Sequence, residues 1–138
     1  MQHSPMDAES NNLRDFAAGY TAAWCSRNPA SVAALFSPQG SLRVNDGTPA
    51  LGREAIAEVA RSFMSAFPDL HLTMDDLIPR GASAEFHWTL TGTHKGASSR
   101  GKRVRISGFE LWHLGSDGLI TDSHGRFDSA DYQRPLAG

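Results

Sequence analysis

The sequence predicts an α+β domain: a curved antiparallel sheet of about five strands wrapped over three helices from the N-terminal half. Three observations carry this. Apolar residues recur at helical spacing in two segments before Pro68, with a short capped helix signalled between them, and β-rich segments follow one another after it. The turns "PRGA", "KGASSRG" and "GSDG" between those segments are short, which makes successive strands antiparallel. A curled sheet closed over helices encloses a conical space, where small organic ligands bind.

Each element has its own signal. Within "AESNNLRDFAAGYTAAWCSRN", Leu13, Phe16, Ala17, Tyr20 and Trp24 form one apolar stripe, predicting a first helix. "NPASVAALF" predicts a short second helix with Asn28 as N-cap and Pro29 in its first turn, ending before Pro38. "SLRVN" reads as a strand closed by the turn-rich "DGTPALG". In "REAIAEVARSFMSAF", Ile56, Val59, Ala60, Phe63, Met64 and Phe67 share one face, and Pro68 stops that third helix. Then come the strands "LHLTMDDLI", "SAEFHWTLTGTH", "KRVRISGFELWHL" and "LITDSHGRF". Two of them run about 12 residues, roughly 40 Å at 3.3 Å per residue, so they must twist and curl. Gly92 and Gly108 mark expected bends or bulges.

Length and composition narrow the function classes. The 138 residues suit one domain, expected over residues 11–138 behind a disordered tail of residues 1–10. A net charge of −2 argues against phosphate-driven nucleic-acid binding. No apolar run approaches a membrane span, and "MQHSPMDAESNN" holds no hydrophobic signal core, which sets a cytoplasmic default. The single Cys25 makes no internal disulfide, and its place near a helix C-terminus argues against a nucleophilic role. The six histidines are scattered without metal-ligand spacing, so no metal is expected. Lys95, Arg100, Lys102, Arg103 and Arg105 read as a solvated hairpin. Asp75 and Asp76 read as one inward and one solvated position on a strand.

Glu110 stands out. Strand parity puts it on one face with Val104, Ile106, Gly108, Trp112 and Leu114. A carboxyl in that company is desolvated, its pKa rises, and it can donate a hydrogen bond or shuttle a proton. The alternative is an acid satisfied structurally by a buried donor. Tyr20 and Trp24, one turn apart on the first helix, suit a pocket wall, with Phe63 and Trp112 as further candidates. Phe109, Leu111 and His113 lie on the opposite face, predicting a homodimer through the sheet unless "YQRPLAG" covers it.

The element order, with "AWCSRNPASVAALFSP", "GREAI", "FPDL", "HWTLTGTHKG", "GKRVRISGFELW" and "SDGLI", resembles the SnoaL-like polyketide cyclases. These belong to the nuclear transport factor 2-like superfamily, with ketosteroid isomerase and limonene epoxide hydrolase as relatives. The resemblance spans about residues 11–136 and implies a cofactor-free protein that acts on or holds a small apolar molecule. It implies a last-strand acid–base aspartate where this chain has Gly125, and a partner histidine where it has Trp112. Likeness to the isomerases matches Glu110 to a protonated, hydrogen-bond-donating aspartate and Tyr20 to a pocket tyrosine. It matches the general base to Val44 by ungapped counting, with Asp46 on the same face if the strand continues. For His87, alternation in "AEFHWTLT" points outward, whereas the resemblance points into the cavity. The resulting expectation is proton transfer next to a carbonyl, with Glu110 as acid and Asp46 or His87 as helper. The rival is a non-catalytic binding or assembly module on the same fold.

Overall fold

The computed structural model describes residues 5–94 and 102–127, with side chains described from Asn12 onward except that of Lys102. Its elements are α1 (Pro5–Cys25), α2 (Pro29–Ala33), β1 (Phe36–Val44), β2 (Ala50–Leu51), α3 (Gly52–Ala66), β3 (His71–Arg80), β4 (Ser83–His94), β5 (Lys102–Leu114) and β6 (Ile120–Phe127). Helix α1 starts inside the segment expected as a tail; residues 1–4, Lys95, Arg100, the Lys102 side chain and "YQRPLAG" lie outside what is described.

The local chemistry explains the helix ends. Asn28 caps α2, its side-chain oxygen accepting from the Ala30 N–H at 3.1 Å, with Pro29 in the first turn. Helix α3 stops at Ala66 because Pro68 disfavours helical backbone at Phe67, which leaves the helix at φ −128° and ψ 83°. Ile56, Ala60 and Met64 bury one face of α3, and Ala17, Tyr20 and Trp24 bury one face of α1.

The six strands form one sheet in the order β2-β1-β6-β5-β4-β3, curved and unclosed. Two features differ from the expected antiparallel sheet of about five strands. A sixth strand, β2, is only two residues long and hides in the turn-rich stretch. Strands β1 and β6 pair in parallel, because no hairpin joins them and nothing local fixes their direction. Strand β1 also begins earlier than "SLRVN". It takes in Pro38, which cannot donate to a ladder and sits where the β1–β6 register shifts between Phe36 and Ser41.

Strands β4 and β5 pair over their full lengths without a register shift. Gly92 and Gly108 are therefore not bulges but points of close approach. A Cβ on Gly92 would lie 3.0 Å from the Phe67 Cβ. One on Gly108 would lie 2.3 Å from the Arg126 carbonyl oxygen and 2.9 Å from the Trp88 ring. The bulge falls in β3 instead, between Met74 and Asp76. It leaves both Asp75 and Asp76 exposed, correcting the expectation of one inward carboxylate. Asp75 accepts a hydrogen bond from the Thr89 hydroxyl on the outer sheet face.

Uninterrupted alternation sets two faces. Val104, Ile106, Trp112, Phe86, Trp88 and Leu90 bury inward with Glu110. His87, Phe109, Leu111 and His113 face out, and the His87 and Phe109 rings stack at 5.4 Å. Gly108→Ala should lower the unfolding free energy by about 1–3 kcal/mol, as overpacking against backbone does. Gly125→Ala, whose Cβ meets only ordinary contacts at 3.5 Å or more, should change it by less than about 1 kcal/mol. Urea unfolding of both variants checks this, and equal midpoints would contradict it.

Candidate active site

Glu110 sits at the middle of β5 with Phe86 opposite on β4 and Gly125 opposite on β6. It is 8% exposed. Three donors converge on one of its oxygens. The Tyr20 hydroxyl donates to Oε1 at 2.7 Å, the Ser123 hydroxyl at 2.6 Å and the Trp112 indole N–H at 3.1 Å. Rings lock these donors in place: Tyr20 meets Trp112 edge-on at 4.9 Å and Phe86 at 5.3 Å, while Phe86 stacks on Trp112 at 4.8 Å. None of the described hydrogen bonds engages Oε2.

Burial pushes the Glu110 pKa above its ordinary 4.5, and the hydrogen bonds from Ser123, Tyr20 and Trp112 oppose the rise without cancelling it. The Tyr20 hydroxyl is driven well above its usual range, first by burial and then by the neighbouring carboxylate. Tyr20 therefore stays a proton donor in a hydrogen bond and is no base. With Oε1 saturated by donors, the proton of neutral Glu110 belongs on Oε2.

A cavity opens against this carboxyl. It holds about 580 Å³ of empty space, its open mouth included. Its wall is built from Trp24 of α1, Val59 and Phe63 of α3, Leu42 and Val44 of β1, Leu72 of β3, Trp88 and Leu90 of β4, Ile106 and Glu110 of β5, and Gly125 and Phe127 of β6. Glu110 is the one ionisable side chain among these described residues. Gly125 leaves the wall open across from it: its missing Cβ would stand 3.5 Å from the Glu110 Cγ.

The structure sorts the expected site residues. Glu110, Trp24 and Phe63 line the cavity, whereas Tyr20 and Trp112, expected in its wall, lie fully buried behind Oε1 as donors. Asp46 is not brought to Glu110. Asn45 adopts φ 51° and ends β1, so alternation stops at Val44, which itself lines the cavity. Asp46 then turns outward, its side chain 86% exposed, and faces Arg126 at 3.3 Å. His87 is not brought there either: it faces outward and pairs with Glu85 at 3.1 Å. The Cys25 Sγ accepts from the Leu72 N–H at 3.3 Å, outside the cavity wall. Ser123 and Trp88 were missed. Ser123 shares parity with Gly125 two residues on, and Trp88 shares it with Phe86, so alternation held the signal for both.

The raised pKa links to stability. A neutral Glu110 favours the native state, so that contribution is full below about pH 4.5 and is lost as pH rises through the higher folded value. Glu110→Gln cannot ionise. The stability of the unaltered protein minus that of Glu110→Gln should thus fall with rising pH above about 4.5 and then level off. Urea unfolding across a pH series reads this, and a flat difference would contradict it.

A family model for the SnoaL-like domain matches residues 17–123. No curated protein matches the sequence at a significant level. Among solved structures, a protein from Jannaschia sp. CCS1 described as a SnoaL-like polyketide cyclase aligns with TM-score 0.82 at 16% identity, covering 100% of this chain and 98% of that one. A ketosteroid isomerase-like protein from Catenulispora acidiphila, in complex with trimethylamine, gives 0.78 at 19% identity, covering 88% and 92%. TsrD from Streptomyces laurentii gives 0.79 at 23% identity, covering 91% and 95%. At these identities the likeness establishes the fold, and the family model, spanning most of the chain, establishes the family. The chain belongs to the SnoaL-like domain family.

Proposed function

We propose that the cavity binds a small, mostly apolar carbonyl compound and that Glu110 moves a proton next to the carbonyl without a cofactor. The observation that carries this is the asymmetry of one carboxyl: Oε1 accepts three hydrogen bonds, none of the described hydrogen bonds engages Oε2, and the residue lines the cavity. As carboxylate, Oε2 takes a proton from the carbon beside the carbonyl, leaving an enolate. As carboxylic acid, it returns that proton to the same or a neighbouring carbon. A pKa lifted toward neutrality makes the group a stronger base while keeping the acid form accessible.

One ionisable group suits an isomerisation better than ring closure. A 1,3-proton shift needs a single group that takes and returns one proton. An intramolecular aldol closure needs a base at one carbon and an acid at a distant oxygen. Here Gly125 and Trp112 stand where the cyclases carry their acid–base pair, and Asp46 and His87 lie elsewhere. A cofactor-free isomerase therefore fits this cavity more closely than a cyclase.

The second reading is a non-catalytic small-ligand-binding or assembly module, favoured by the same replacements at Gly125 and Trp112. A homodimer through the outer face belongs to either reading, supported by half-buried Phe109 and Leu111 on strand positions that no described helix covers.

Deuterium exchange separates the two. In heavy water the protein should accelerate α-hydrogen exchange of a ketone that enters the cavity, and Glu110→Gln should slow it by about 100-fold or more, as loss of a positioned proton-transfer group does. Ketones that bind without accelerated exchange would leave only the binding module.

A further inference from the structure

Glycine weakens a strand interior, and where it persists it marks a bulge, a bend, or a place where something approaches the backbone closely. Gly125 lies inside β6, and no neighbouring part of the chain accounts for it. Its ladder to β5 runs without a shift from Gly108–Phe127 to His113–Asp122, and its ladder to β1 from Ser41–Asp122 to Val44–Gly125. Its φ stays outside the left-handed region. A Cβ there would meet the Glu110 Cγ at 3.5 Å and the Arg43 carbonyl oxygen at 3.8 Å, both ordinary contacts. Gly108 is the contrast, since a Cβ on it would strike backbone at 2.3 Å.

What Gly125 leaves is space in the wall of the cavity. It pairs with Val44 on one side and Glu110 on the other, and all three residues line that cavity. Val44 and Glu110 therefore flank a strip of bare backbone from strands two spacings apart, about 9.5 Å. A single layer of carbon needs roughly 7–8 Å between the carbons on its two sides, at ordinary van der Waals separation. Such a slot admits a flat ring standing on edge and crowds a puckered ring with hydrogens on both faces.

We propose that Gly125 sets the specificity of this site: its bare backbone floors a slot for a flat cyclic ketone, one ring face against Glu110 and the other against Val44. This inference rests on the proton-transfer reading and names its substrate class. The orientation suits that chemistry. A C–H bond beside a carbonyl ionises when it stands perpendicular to the carbonyl plane, so the base must meet the ring's face and not its edge. An anionic substituent is selected against, because no cationic side chain lines the cavity among the described residues and an unpaired buried charge is costly.

The probes are α-tetralone, flattened by its fused aromatic ring, and trans-α-decalone, the saturated ketone on the same skeleton. Tryptophan fluorescence reads their binding, since Trp24 and Trp88 are in the cavity wall. The unaltered protein should bind α-tetralone about tenfold more tightly, although the decalone is the more apolar compound. Gly125→Ala should weaken α-tetralone binding by about tenfold, the worth of one methyl group in a fitted pocket, and Gly125→Val by more. The urea midpoint of Gly125→Ala should barely move.

Equal affinity for the two ketones overturns the flat-ring class, as does no binding of α-tetralone to the unaltered protein. An α-tetralone affinity unchanged in Gly125→Ala overturns the role of Gly125. A Gly125→Ala protein that unfolds far more readily overturns it as well, by giving the glycine a structural reason. None of these results touches the proton-transfer reading, which deuterium exchange into acetone, small enough to need no slot, tests separately.

Discussion

Three hydrogen bonds onto a single oxygen organise the centre of this domain. Removing a carboxylate from water costs several kcal/mol, and hydrogen bonds to a charged group return roughly 1.5–3 kcal/mol each. Tyr20, Trp112 and Ser123 therefore offset much of the burial cost of Glu110, yet its pKa still moves upward. The balance leaves an acid fixed in place through one oxygen, with no described hydrogen bond on the other. Its position depends on three separate parts of the chain, namely helix α1, strand β5 and strand β6, so the site exists only when the sheet has closed over the helix.

The hollow beside that acid comes from the same packing. Gly108 lets β6 and the Trp88 ring come close to β5, and Gly125 removes the side chain that would otherwise stand across from Glu110. Large rings from α1, α3, β4 and β6 roof the space without filling it. Where the family resemblance implies an acid–base aspartate, this chain keeps open volume, and the one carboxyl it retains sits across the strand pair. On the proposed reading one group makes every proton transfer, so a reaction that recycles a single proton fits better than one that needs separate acid and base.

Much of this was legible in the residues, and the reasons differ by element. Glu110 could be placed by counting because β5 pairs with β4 over its full length without a slip, so parity from Val104 to Leu114 is preserved. The α3 stripe and the Asn28 cap were equally local. His87 posed a conflict between alternation and resemblance, and alternation prevailed. Asp46 failed for the opposite reason: a left-handed Asn45 ended the strand one residue too soon for parity to reach it. The parallel β1–β6 pair, the two-residue β2 and the bulge at Asp75 depend on contacts distant in sequence, which no window of neighbouring residues contains.

The central claim is that Glu110 is a buried acid whose proton is held more tightly than usual and, on the proposed reading, is delivered through Oε2. The most direct measurement is the carbon-13 shift of the Glu110 side-chain carboxyl followed across pH, assigned by its loss in Glu110→Gln. The account predicts a titration midpoint displaced upward from 4.5, rising further in Tyr20→Phe as one donor to the carboxylate is removed. A midpoint at or below 4.5 would contradict it.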